Sequence, residues 1–197
     1  PFRAYAIDRQ EQVLGMLKMS YEKCLTNTIT NLSSYKNRYY TSMTGVDASK
    51  WLQTYWGQLA AGRNDISVAA YRHANWAQES VILTIQGSSE PQKIVVLGGH
   101  LDSIAGGGGN SVAPGADDNA SGIAALTEAI RVIVASGYKP SKTIKFMGYA
   151  AEEVGLRGSQ DIAAAFKREG KQVEGAMQLD MTNYNGSAED IFLITDH

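Results

Sequence analysis

Ile94-Val95-Val96-Leu97-Gly98-Gly99-His100-Leu101-Asp102 passes from an unbroken β-branched and leucine run into two glycines, a histidine and an acid. A continuous apolar run of this length reads as a strand buried on both faces, as in a parallel sheet covered by helices. Residues just beyond the carboxyl end of such a strand stand where an open α/β sheet places its ligands. The pattern recurs downstream: Thr143 to Tyr149 runs directly into Ala150-Ala151-Glu152-Glu153, and the shorter Gly175 to Leu179 leads into Asp180-Met181. Acids in such places are costly unless paired or bound to a metal.

A fourth acidic cluster, Gly115-Ala116-Asp117-Asp118, opens a helical pattern with Asn119 and Ser121 as cap candidates and Ile123, Leu126, Thr127 and Ile130 along one face. Taken alone, this pair reads equally as a complement to the helix dipole and as a ligand pair. Glu152-Glu153 is less easily explained by structure, since Arg157 is the one evident positive partner nearby. Four clusters of this kind point together to a metal site. One histidine with several carboxylates suits Zn²⁺, Mn²⁺ or Co²⁺. The lone Cys24 lies far upstream in a helical pattern, so a thiolate site is disfavoured and no disulfide within the chain is possible.

Outward from these clusters, the pattern predicts a helix from about Arg9 to Ser34 and a second from about Asp47 to Ala61, capped by Asp47. Strands follow near Ile66 to Tyr71, Glu79 to Gln86 and Lys93 to Gly98, then a helix Ser121 to Ser136, a strand Lys142 to Tyr149, a helix Ser159 to Glu169, and strands near Ala176 and Ile191. The alternation after residue 93 gives an α/β fold: three layers, with a mostly parallel central sheet flanked by helices. Gly87-Ser88-Ser89-Glu90-Pro91 reads as a hairpin connection, and Gly106 to Gly109 as a flexible loop rather than a phosphate cradle. Residues 1–197 read as one domain.

The 197 residues are 44% hydrophobic and 19% charged, ordinary for a globular chain. A net charge of -2 without a basic run leaves no footprint for nucleic acid, and no apolar stretch is long enough for a membrane span. Asn31-Leu32-Ser33, Asn119-Ala120-Ser121 and Asn185-Gly186-Ser187 match the glycosylation acceptor pattern, but it occurs often by chance and the second would put a glycan on the metal site. His73 has no cluster around it and reads as a surface residue.

The combination of His100-Leu101-Asp102, Pro114 to Gly122, Ala151-Glu152-Glu153-Val154-Gly155-Leu156-Arg157-Gly158-Ser159 and Leu179-Asp180-Met181 closely resembles the M28 family of zinc aminopeptidases, nearest the secreted bacterial leucyl enzymes of the Aeromonas and Vibrio type. The likeness runs from about Asn31 to the end. It implies that His100 and Asp180 bind one zinc, Glu153 binds another, and Asp118 bridges the two. It further implies Glu152 as the general base and Asp102 as the acid whose hydrogen bond orients His100. Met181 and Ile194 match positions that line a hydrophobic pocket for a leucine-like first residue. Substrates would be peptides with a free N-terminus, and secretion is implied by resemblance alone.

Members of this family run longer and supply a final histidine ligand from their last third. The expectation is therefore a domain without its C-terminal third, with sheet surface left open to self-association. His197 follows the Asp180 cluster too closely to match that histidine. The start at Pro1, without a signal peptide, reads as a processed or trimmed chain. A rival reading is an inactive or partly metallated module of the same fold acting in binding or assembly, against which stand the intact Asp118, Glu152 and Glu153.

Overall fold

The computed structural model describes residues 9–184, 186 and 193–195. In chain order the elements are α1 (Gln10–Leu17), α2 (Glu22–Ser33), α3 (Met43–Leu59), β1 (Ile66–Tyr71), β2 (Ser80–Ile85), β3 (Glu90–His100), α4 (Gly122–Ala135), β4 (Lys142–Tyr149), α5 (Arg157–Arg168) and β5 (Gln172–Gln178). A short 3₁₀ turn, Gly108–Asn110, and a kinked turn, Ala116–Ser121, in which Asp118 and Asn119 leave helical geometry, lie between β3 and α4.

The strands form one sheet in the order β1-β2-β4-β3-β5. β3 pairs parallel with both β4 and β5, whereas β2 pairs antiparallel with β1 and β4. The parallel half carries all the strand-end acids. His100 is in register with Tyr149, and Leu101 N donates to Tyr149 O at 2.7 Å, so β3 and β4 end side by side.

Each buried strand serves two cores, which is why it reads as apolar throughout. Val81, Leu83, Ile85 and Phe146 pack with Leu52 and Trp56 of α3 and Ile123, Leu126 and Ile130 of α4 on one face. Ile94, Val96 and Met147 pack with Ile162 of α5 on the other. Phe146 and Met147 are adjacent, so the strand's alternation sends them to opposite layers. Burying each such side chain contributes about 1.5–3 kcal/mol.

Several boundaries differ from the sequence reading. The single N-terminal helix is two, broken where α4 captures the linking backbone: Tyr21 N donates to Glu128 Oε1 at 2.7 Å, and Arg131 Nη2 donates to Met19 O at 2.5 Å. Asp47 does not cap α3. Ser42 does, its Oγ accepting from Gly45 N at 2.9 Å. The Gly87–Pro91 segment is not a hairpin turn, because β4 lies between β2 and β3. It wraps the start of β4 instead, with Ser88 N donating to Pro140 O and Glu90 N to Ser141 O, each at 2.8 Å.

The expected strand near Ala176 is β5, an edge strand exposed along its whole length. The strand expected near Ile191 falls outside the described residues, as does His197. Among the described residues, no helix is long and apolar enough to cross a membrane.

Candidate metal centre

His100 is the last residue of β3 and is buried, with Nε2 facing three acids. Asp118 Oδ1 lies 2.9 Å away, Asp180 Oδ1 3.4 Å and Glu152 Oε2 3.8 Å. On the other side of the ring, Nδ1 lies 3.1 Å from the backbone oxygen of Asp102. Donation from Nδ1–H to that oxygen orients the ring so that Nε2, once it gives up its proton, faces the acids as a ligand. Burial by itself would lower the imidazole pKa, but hydrogen bonding and charge from Asp102 and Asp180 override it and push it up to about 11.

One ligand atom each from His100, Asp118 and Asp180 lie within 4.8 Å of one another, close enough to share one ion. Their backbones are tied together behind the site. Leu179 N donates to Gly98 O at 2.8 Å, Thr182 N to Ser121 Oγ at 2.9 Å and Asn183 N to Asp117 Oδ1 at 2.9 Å. Asp117 therefore ties the Asp180 segment to this turn, while Asp118 faces His100 Nε2. Asn119 Oδ1 accepts from Gly122 N at 2.9 Å, while Asn119 Nδ2 donates to Leu179 O at 2.9 Å. A Cβ at Gly122 would come within 2.3 Å of Asn119 Oδ1 and 2.6 Å of Leu179 O, so this crossing requires glycine.

Asp102 is fully buried and does more than the sequence implied. It reaches His100 Nδ1 through its backbone oxygen, with carboxylate Oδ1 farther off at 3.6 Å. The carboxylate itself accepts from Glu152 N at 2.9 Å and Glu153 N at 3.1 Å. It thereby holds the turn after β4, in which Ala151 and Leu156 take left-handed φ angles of 55° and 58°.

The adjacent glutamates diverge within that turn. Glu152 stands near His100, and burial, followed by the charges of Asp102, Asp180 and Asp118, raises its pKa against the opposing pull of His100. Glu153 stays outside the His100 cluster. Burial first, and then the charge of Asp118, push it up to about 7. Glu153 thus answers electrostatically first to Asp118, with His100 pulling the other way.

Met181 and Ile194 form no enclosed pocket, since both are exposed, at 55% and 94%, with no described residue packed over them. A cavity of about 710 Å³ lies at the opposite end of the sheet, lined by Arg63, Asp65, Gln86 and Lys139, away from this chemistry.

Two residues differ from what the sequence alone indicates. His73 is buried, not a surface residue: Nδ1 lies 2.7 Å from Asp161 Oδ2 and Nε2 2.8 Å from Ser80 Oγ, with the ring stacked on Trp76. This has the distances of a serine-histidine-aspartate triad. Ser80 is fully buried, however, and its Oγ accepts from Ala150 N at 2.9 Å, so the chain of bonds anchors the turn before Glu152 instead of attacking a substrate. The partners lie 7 and 88 residues from His73, beyond any local signal. Arg38, buried behind the acids, carried no motif at all.

A zinc-compatible cluster at the carboxyl end of parallel strands defines the class, and the comparisons agree. Residues 80–197, more than half of the chain, match the model for Peptidase family M28. The chain belongs to that family. It is 40% identical over 209 residues to leucine aminopeptidase 1 of Arthroderma gypseum, covering 98% of this chain and 55% of the relative. It is 35% identical over 195 residues to a probable leucine aminopeptidase of Arthroderma benhamiae, covering 97% and 53%. The crystal structure of LapA from Legionella pneumophila superposes with a TM-score of 0.87 at 33% identity, covering 95% of this chain and 51% of that one. The chain spans about half the length of the relatives it matches.

Proposed function

We propose that this chain forms the zinc-binding core of an aminopeptidase that hydrolyses the first peptide bond of substrates with a free N-terminus, favouring a leucine-like first residue. The observation that carries this reading is the convergence of His100, Asp118 and Asp180, with Glu152 3.8 Å from the ligand histidine. A single imidazole with carboxylates is a fitting donor set for zinc. His100, Asp118 and Asp180 would hold one ion, and Glu153 with Asp118 a second. When bound, such ions acidify water and polarise the scissile carbonyl.

The protein's own groups do the rest. Glu152 accepts the proton of the attacking water and returns it to the leaving amine, a task suited to a carboxylate whose pKa is raised. Asp102 fixes Glu152 by its amide, and Asp102's backbone oxygen fixes the tautomer of His100. Carboxylates around the centre offer partners to a substrate's α-ammonium, which restricts cleavage to chain ends. Met181 and Ile194 would line the first-residue pocket once further chain packs over them.

Secretion is part of the same proposal, supported by the family likeness. Self-association through β5 is a further part, supported by its exposed Val173 and Met177 and its open strand edge. The test is hydrolysis of a leucyl anilide by the zinc-supplemented protein, with the N-acetylated anilide and the Glu152→Gln variant as controls. The expected result is cleavage of the free-amine substrate only, falling about 10²–10⁴-fold in the variant while zinc stays bound. Cleavage that ignores either control contradicts the reading.

A further inference from the structure

Arg38 lies between α2 and α3 and is completely buried. A charge in such a place normally faces a carboxylate. Here the guanidinium donates only to backbone oxygens among the described residues: Nε to Leu101 O at 2.7 Å, Nη1 to Leu32 O at 3.1 Å and to Pro114 O, and Nη2 to Gly115 O at 2.9 Å. Leu101 is the residue between His100 and Asp102. Pro114 and Gly115 lead into the turn that carries Asp118.

The backbone of Arg38 repeats the same tie. Arg38 N donates to Ser103 Oγ at 2.9 Å, and Ser103 Oγ donates to Ala113 O at 2.7 Å. Gly115, at φ +54°, makes the approach possible: a Cβ there would lie 2.8 Å from Arg38 Nη2 and 2.4 Å from Asp118 O. Burial pulls the guanidinium down to about 10 while Asp102, Asp118 and Glu153 hold it up, so it is charged at neutral pH.

We propose that Arg38 is the positioning residue of the zinc site. It sets the separation of His100 and Asp118 by gripping the backbone behind each, and supplies a fixed positive charge behind the carboxylates. Two effects on zinc therefore oppose one another. The charge alone repels the ion, whereas the grip presents its ligands already in place. The positioning claim is that the grip dominates. It rests on the zinc reading above.

The test is a competition titration of zinc against a chelating dye, on the wild-type chain, Arg38→Lys and Ile133→Ala. Arg38→Lys keeps the charge and loses the planar fork. Ile133→Ala is a control for destabilisation in α4, away from the ligands. The expected result is zinc affinity about tenfold or more weaker in Arg38→Lys, and unchanged in Ile133→Ala. Wild-type affinity in Arg38→Lys, or equal weakening in the control, overturns the positioning role while leaving the zinc reading intact. A wild-type chain that takes up no zinc overturns both. Should Arg38→Lys fail to fold, the Arg38 Nε–H signal of the wild-type chain decides by nuclear magnetic resonance. Protection of that hydrogen from solvent exchange before any zinc is added supports a grip already in place, and protection that arises only once zinc binds overturns it.

Discussion

The carboxylate of Asp102 accepts the amide hydrogen of Glu152 at 2.9 Å, so the acid just beyond β3 holds the acid that follows β4. Because the same carboxylate also accepts from Glu153 N at 3.1 Å, one buried side chain sets the stance of both glutamates. Asp102→Ala would leave two amides without their acceptor. The expected loss is about 2–4 kcal/mol of folding stability, read from urea unfolding, together with weaker zinc binding. Asp102→Asn, which keeps an acceptor oxygen, should lose less.

The metal-free chain should respond to pH through Glu153. Its folded pKa of about 7 lies above its ordinary value of 4.5, so the native state holds the proton more tightly than the unfolded state does. Stability then falls as pH rises from 4.5 through about 7. Melting temperatures in chelator across this range should decline, and Glu153→Gln should flatten the decline.

His100 works over a different window. Its folded pKa of about 11 against an ordinary 6.5 means that its contribution is complete below 6.5 and lost as pH rises towards 11. At neutral pH the metal-free imidazole is therefore protonated, and zinc must displace that proton. Calorimetry at neutral pH in buffers of different ionisation enthalpy should register proton release on zinc binding. Binding heats that do not vary with buffer would contradict this.

Ser80 has a triad's neighbours without a nucleophile's access. A fluorophosphonate reagent should leave Ser80 unlabelled. Ser80→Ala should instead lower stability by about 1–3 kcal/mol, since Ala150 N and His73 Nε2 both lose a buried partner. Labelling at Ser80 would refute the anchoring role.

Gly122→Ala tests the crossing of the Asp118 turn over the Asp180 segment. Its added methyl would meet Asn119 Oδ1 at 2.3 Å and Leu179 O at 2.6 Å, so one of the two must move. Stability should fall by about 1–3 kcal/mol, and zinc binding should weaken with it.

Much of this was legible in the sequence because it is written locally. The apolar runs of β3 and β4 and the acids directly after them pointed to the layer architecture and to a metal site beyond the strand ends, while the grouping of His100, Asp118 and Asp180 was implied by the family resemblance. What stayed hidden depends on partners distant in sequence. Asp102's grip on the Glu152 turn spans 50 residues, and Arg38's hold on Gly115 spans 77. The break between α1 and α2 failed to show for the same reason, since α4 supplies the bonds that stop the helix. The strand order was also illegible: Gly87–Pro91 has hairpin composition, and only the later arrival of β4 shows that the strands on either side are not neighbours.

The most direct measurement is zinc uptake by the metal-stripped chain beside its His100→Ala variant. Tight zinc binding by the wild type, lost in the variant, is the result expected of a centre built on His100, Asp118 and Asp180. A wild-type chain that takes up no zinc, or a variant that binds it equally well, would contradict the central claim.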